Sequence, residues 1–491
     1  MVDMINVVKK LFESRTSRIG IFLIIAVIFY LNLPKTDCRD CNLILISVDT
    51  LRPDHMGVYG YKKDTTPNID NWAKNAFVFT NIRTLVPVTY PSFSILMTGL
   101  GPINSGIFSN SVNFDGIDPQ IPEISDNART LAEILKQNNY KTAAFVTNPA
   151  LDPELTKLGK GFDTYDQIDY GEDRQSYERF IKNSVGWLDK NKNKKFFLWV
   201  HLMDPHIPYR PADDFVCKFN QKYCPEISKK GLSNAESERE KLEGCRKEKL
   251  PDDRVKFFRM LYDGAVASAD RLVGEILNKI KDTKLDKDTI VIFYGDHGEG
   301  FDHKYYFRHG EVLYDSSLKI PFIMKVPFID SKNKKINTIL DNSQIFKTVL
   351  SLLSISYQTN QSIGKNFGRI LSNSNKPTID NNSKQYIFSV NSNFDKFSIQ
   401  DNQFKLIYSL PGGICTLNAE SQELYDLVND PQEITNLAES KPDVAEKLTN
   451  ELSKYIARFK IETSKNANKE SKEKLSTKKR SLLEKLKSLG Y

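Results

Sequence analysis

Four apolar runs of strand length constrain the fold more than any other feature: NLILISV (42–48), KTAAFVT (141–147), FFLWVHL (196–202) and TIVIFYG (289–295). Continuous rather than alternating apolar runs suit strands buried on both faces. Between them lie helical patterns, TLAEILKQN (130–138) and the long stretch from Asp253 to Ile280. Strands alternating with helices predict an α/β domain with a mainly parallel sheet covered on both sides. Such sheets bind ligands beyond the carboxyl ends of their strands. The residues that follow the four runs are therefore where chemistry is expected.

All six histidines fall in or beside those strand ends. His55 lies in SVDTLRPDHMGVYGY, His201 and His206 in HLMDPHIPY, and His297, His303 and His309 in GDHGEGFDHKYYFRHG. Asp49, Asp296 and His297 offer hard oxygen and imidazole ligands for a divalent cation. Asp49 alone would equally suit a capped turn, but the combination favours a metal site. VPVTYPSFSILMTG (86–99) adds Thr89 two residues before Pro91, and proline is favoured in the first turn of a helix. Thr89 is then either a helix cap or a nucleophile placed where the helix dipole favours negative charge.

Composition excludes one class of function. The net charge is +7, but residues 461–491 hold nine Lys or Arg against four acids, so the excess lies in a C-terminal tail. With no basic stripe and no nucleic-acid motif in the body, nucleic-acid binding is not expected. The tail itself, KEKLSTKKRSLLEKLKSLG, reads as a solvated helix. Residues 208–252 read as a polar surface insertion, and from about residue 371 short strands and Asn/Ser-rich turns suggest a small antiparallel subdomain to residue 460. The catalytic domain would span 42–370.

At the N-terminus, residues 1–18 carry Lys9, Lys10, Arg15 and Arg18, and residues 19–34 form an uncharged apolar segment. The segment is short for a span, and no small-residue cleavage site follows it. It is expected to be an uncleaved membrane anchor with the body extracytoplasmic, or a secretion signal if cleaved. The six cysteines fit an oxidising compartment, with disulfides of unspecified connectivity.

The ordered set NLILISVDTLRPDHMGVYGY, TPNIDNWA, TYPSFSILMTG, DPHIPY, GDHGEGF, HGEVLYDSSLKIP and ELYDLVNDPQEITNLA resembles the sulfatase family of the alkaline phosphatase superfamily over roughly residues 42–460. The resemblance implies a three-layer α/β/α domain with a small C-terminal antiparallel-sheet subdomain. It implies hydrolysis or transfer of sulfate or phosphate esters at a divalent metal, with calcium, magnesium, manganese and zinc undistinguished. Carried over, the metal ligands are Asp49, Asp296, His297 and the nucleophile Thr89. His206 and His309 match positions that contact the ester oxygens or assist the leaving group.

Several positions depart from the family pattern. Sulfatases carry C-x-P-S-R, whose cysteine or serine matures to formylglycine. Here the stretch is Thr89-Tyr90-Pro91-Ser92-Phe93, and oxidation of a threonine would give a ketone, not that aldehyde. Thr50 stands for a second aspartate, and Thr147 and Asn148 stand where many members place a lysine and a histidine. The pattern is closer to the threonine-nucleophile branches acting on phosphoesters. Asp204, His206 and His309 offer a second metal set, with closer spacing than two-metal members use. The expected substrate is an ester, such as one on a polysaccharide or lipid head group. The alternatives are a sulfuric ester hydrolase independent of formylglycine and a degenerate binding protein.

Overall fold

The computed structural model describes residues 38–110, 122–168, 173–359, 363–372, 385–413, 415 and 422–467. Eight strands form the central sheet: β1 (Asn42–Val48), β2 (Phe77–Phe79), β3 (Lys141–Val146), β4 (Thr164–Gln167), β5 (Phe196–Leu202), β6 (Thr289–Gly295), β7 (Phe322–Lys325) and β8 (Lys334–Ile336). Their order is β8-β2-β7-β6-β1-β5-β3-β4. The four apolar runs become β1, β3, β5 and β6, four parallel neighbours at the centre. Only β7 runs against its neighbours in this sheet, antiparallel to both β6 and β2.

Side chains alternate across a strand, so continuous apolar runs feed two cores. Leu43, Leu45, Phe197, Trp199, Ile290 and Ile292 enter one core. Ile44, Ile46, Leu198, Val200, Val291 and Phe293 enter the other. The first is covered by α1 (Thr89–Thr98), α2 (Leu131–Gln137) and, farther along the chain, a helix at Ser343–Leu352. The second is covered by α3 (Arg174–Asn191), a kinked α4 (Cys224–Leu242) and α5 (Asp252–Asp282). Within 208–252, Tyr223, Ile227 and Ala235 are buried in that second core.

Every residue of α1 is buried. The helix ends at Gly99, whose φ of 71° is left-handed, and a Cβ there would sit 2.9 Å from the Phe346 ring. Glycine is the residue that satisfies both demands.

A second sheet, β9 (Ile387–Val390), β10 (Lys396–Gln400), β11 (Phe404–Ser409) and β12 (Gln422–Asp426), is antiparallel throughout. Phe397, Ile399 and Leu406 share a core with Leu448, Leu452 and Phe459 of the helix Pro442–Ala467 and with Val86 and Val88, which lead into α1. A buried ionic cluster also ties β11 of this sheet to Arg83 and to the segment that precedes β7. Lys405 Nζ lies 2.6 Å from Asp315 Oδ1 and 2.7 Å from Glu433 Oε1, while Arg83 Nη2 holds Asp315 Oδ2 at 2.6 Å.

The cysteines pair as Cys38–Cys41, Cys217–Cys224 and Cys245–Cys415, the last linking positions 170 residues apart. The expectation of membrane anchoring is not supported: among the described residues no helix is long and apolar enough to cross a membrane. Segment 19–34, on which that expectation rested, lies outside the described residues, as does most of the basic tail.

Candidate active site

Two strand ends and one helix start converge. Asp49 follows β1, Asp296 and His297 follow β6, and Thr89 is the first residue of α1. All four are fully buried. One ligating atom from each of Asp49, Asp296 and His297 lies within 4.8 Å of the others. Thr89 Oγ1 is 3.2 Å from His297 Nε2. It does not cap the helix: Val88 occupies the N-cap without a side-chain cap bond, and the free amide of Tyr90 donates to Asn110 Oδ1 at 2.9 Å.

Local hydrogen bonds decide which atoms face inward. His297 Nδ1 donates to the Gly298 carbonyl at 3.0 Å, which leaves the Nε2 lone pair toward Thr89 and the carboxylates. Asp296 Oδ1 accepts from the amides of Thr50 (3.1 Å) and His297 (2.9 Å). Asp49 Oδ2 accepts from Asn148 Nδ2 at 2.5 Å and faces His201 Nε2 at 3.3 Å. Asp49 Oδ1 and Asp296 Oδ2 are then buried without a hydrogen-bond partner. Two orphaned carboxylate oxygens beside an imidazole lone pair fit a divalent cation, with Thr89 Oγ1 at hand as a further donor.

The electrostatics agree with that fit. Burial pushes the Asp296 carboxyl well above its ordinary value, and the charge of Asp49 adds to the shift. Burial opposes ionisation of Asp49 too, but His206, His201 and His297 together hold it below the usual carboxylate range. Without a cation the pair therefore carries one negative charge rather than two. Burial also pushes His297 down to about 3, aided by His309, and takes His206 and His309 down to about 4. All three are neutral imidazoles near pH 7.

His309 packs against His297 with ring centroids 4.4 Å apart, and against His206 at 5.0 Å. His206 Nδ1 donates to the Ile207 carbonyl at 2.5 Å. Both expected histidines thus border the cluster. Two others do not join it: His55 Nδ1 bonds Asp263 at 2.6 Å, and His303 stacks on Tyr314. The second metal set does not assemble, because Asp204 is engaged by Arg174 and by the Tyr177 hydroxyl. Among the described residues the one other ligand group is Cys245, Glu311 and Cys415, whose thiols form a disulfide.

The sequence reading missed His201 and Asn148 as partners of Asp49. Ser47 Oγ accepts from Trp199 Nε1 at 2.9 Å and lies 3.0 Å from His201 Nδ1, so the imidazole is steered from behind. The available signal was a polar residue near the carboxyl end of two apolar strands, and Ser47 and His201 are register partners. Phe93, at the family's arginine position, is buried against Trp199, His201 and Tyr294. It therefore supplies packing where the family supplies a charge. Thr50 adopts φ 51°, and its buried Oγ1 has no hydrogen-bond partner.

Comparison with known proteins bears on the whole chain rather than on single residues. The family model described as sulfatase matches residues 41–355, and a model of the N-sulphoglucosamine sulphohydrolase C-terminal region matches residues 301–461. An endo-4-O-sulfatase of Bacteroides thetaiotaomicron is 24% identical over 485 residues, covering 84% of this chain and 91% of its own. A structure solved in complex with its substrate D-glucosamine-2-N,6-O-disulfate superposes with a TM-score of 0.67 at 18% identity, covering 86% of this chain and 98% of the other. The phosphonate monoester hydrolase of Agrobacterium radiobacter has the same fold, with a TM-score of 0.63 at 17% identity, over 85% and 96% of the two chains.

Proposed function

Because the chain belongs to the sulfatase family, whose model spans well over half of it, we propose that it hydrolyses sulfuric or phosphoric esters of a saccharide, with Thr89 as the direct nucleophile. The observation that carries this reading is the placement of Thr89 Oγ1 3.2 Å from His297 Nε2, at a buried helix start and beside two orphaned carboxylate oxygens. A divalent cation held by Asp49, Asp296 and His297 supplies Lewis-acid stabilisation of charge on the ester and favours the Thr89 alkoxide.

The chain's own residues do the rest. The Thr89 hydroxyl gives up its proton to solvent water and its oxygen attacks the sulfur or phosphorus, while the bond to the leaving oxygen breaks. His206 and His309 contact the ester oxygens. Burial keeps them neutral in the free protein; an anionic ester beside them raises their pKa, so that one of them takes up a proton from solvent and passes it to the leaving oxygen. Water then attacks the covalent ester and releases Thr89.

The saccharide assignment is supported by the endo-4-O-sulfatase and N-sulphoglucosamine sulphohydrolase likenesses. Two observations favour phosphoesters as the second reading. Threonine cannot yield the formylglycine aldehyde, and Phe93 replaces a cation that would face a sulfate. The test is turnover of aryl sulfates, phosphomonoesters and phosphodiesters by purified protein with several divalent metals. Turnover of one class, with a covalent adduct on the Thr89 peptide by mass spectrometry, is expected. Tight metal binding with no turnover of any ester would instead assign a degenerate binding protein.

A further inference from the structure

A cavity of about 860 Å³ opens at the same end of the sheet as the catalytic cluster. Its wall includes Arg52, three residues beyond Asp49, Asp302, five beyond His297, and Thr80, which follows β2. The loop Pro431–Ile434 from the C-terminal sheet closes the far side. The volume falls in the range of about 300–1,000 Å³ typical of small-ligand sites.

Charge on its walls does not balance. Six Lys or Arg side chains line the cavity against four carboxylates. Three of those carboxylates are already engaged, one by a cation of the cavity wall and two by buried cations outside it. Asp54 is held by Arg52 through Nε (2.9 Å) and Nη2 (2.8 Å), while Asp315 and Glu433 serve Arg83 and Lys405 in the buried ionic cluster. Lys63 is matched by Asp263 at 2.7 Å. Lys256 and Lys319 form no ion pair among the described residues, and Arg259 has a buried Nε with no hydrogen-bond partner and only a 4.0 Å approach to Asp302. Burial holds Lys319 below the ordinary lysine value, which an incoming anion would reverse. Tyr59 and Tyr61 add aromatic surface, with hydroxyls already bonded to the Phe322 carbonyl and Asp263. Such surface packs well against a sugar ring.

We infer that this cavity is a second anion-binding subsite, in which Lys256, Lys319 and Arg259 take a sulfate or carboxylate group of an anionic saccharide at a sugar unit other than the one being cleaved. The inference rests on the saccharide reading above and sharpens it: the preferred substrate carries more than one anionic group.

The test is calorimetric titration of full-length Thr89→Ala protein with a size-defined sulfated oligosaccharide, so that binding reports independently of turnover. Lys256→Glu, at an exposed position, and the double variant Lys319→Ala with Arg259→Ala are each expected to raise Kd about tenfold. Their salt dependence should also be shallower than that of the parent. Lys190→Glu, an exposed charge reversal remote from the cavity, is the matched control. Unchanged Kd in Lys256→Glu, or an equal loss in Lys190→Glu, would overturn the subsite. So would a parent protein that binds no sulfated oligosaccharide; in that case hydrolysis of a small aryl ester still decides the proposed function separately. Conversely, a chain that binds the oligosaccharide through these residues but hydrolyses no ester would leave the subsite standing and remove the reaction.

Discussion

Thr89 Oγ1 and His297 Nε2 lie 3.2 Å apart although 208 residues separate them in the chain. The contact exists because α1 starts immediately after Val86 and Val88 are anchored in the core shared with the C-terminal sheet, while His297 sits just past the carboxyl end of β6. It sets the hydroxyl of a residue type common at helix caps against an imidazole instead.

Loss of that hydroxyl should remove the covalent step. Thr89→Ala is expected to lower kcat by at least about a thousandfold. Thr89→Ser should retain partial activity, because a primary alkoxide reaches the same position. Steady-state kinetics on the best ester substrate check both, and full activity in Thr89→Ala would exclude direct attack.

His201 and Asn148 hold Asp49 Oδ2, which leaves Oδ1 for a cation. His201→Phe and Asn148→Ala should each weaken divalent-metal binding about 10- to 100-fold, the usual penalty for losing an outer partner of a ligand. Competition titration against a fluorescent chelator measures this without reference to turnover. Asp49→Ala and Asp296→Ala should abolish stoichiometric metal binding by elemental analysis.

Lys405 is fully buried between Asp315 and Glu433. In Lys405→Met, Asp315 keeps Arg83 but Glu433 loses its cation, and breaking a buried pair in this way costs about 3–5 kcal/mol. Chemical denaturation should show that loss. Adding Glu433→Gln should recover part of it, because the unpaired charge is then gone.

The pH dependence of stability follows from three buried histidines, of which His206 is taken by burial from 6.5 to about 4 in the fold. A depressed pKa means that the unfolded chain binds the proton more readily. The contribution is therefore fully present above pH 6.5 and is lost as pH falls toward 4. Thermal midpoints of metal-free protein should decline across that window. His206→Gln, which does not titrate, should show a shallower decline.

The sequence by itself determined the parallel centre of the sheet and which acids and histidines stand at its carboxyl end. Continuous apolar runs admit only strands buried on both faces, and the acids and histidines that follow them must emerge at one end of such a sheet. Asp49, Asp296, His297, His206 and His309 were legible for that reason. The reversed strand β7 was not legible, since four residues of a short apolar segment carry no sign of direction. His201 and Asn148 were missed because their role depends on register and loop closure: Ser47 must stand beside His201, and the loop after β3 must bring an amide to Asp49. The pairing of Cys245 with Cys415 and the excess positive charge of the cavity beside Arg52 likewise depend on which distant segments meet. Local sequence sets what a side chain can do. Which carboxylate oxygen is left without a partner is set by groups up to hundreds of residues away, and only the folded chain brings those groups within hydrogen-bond reach.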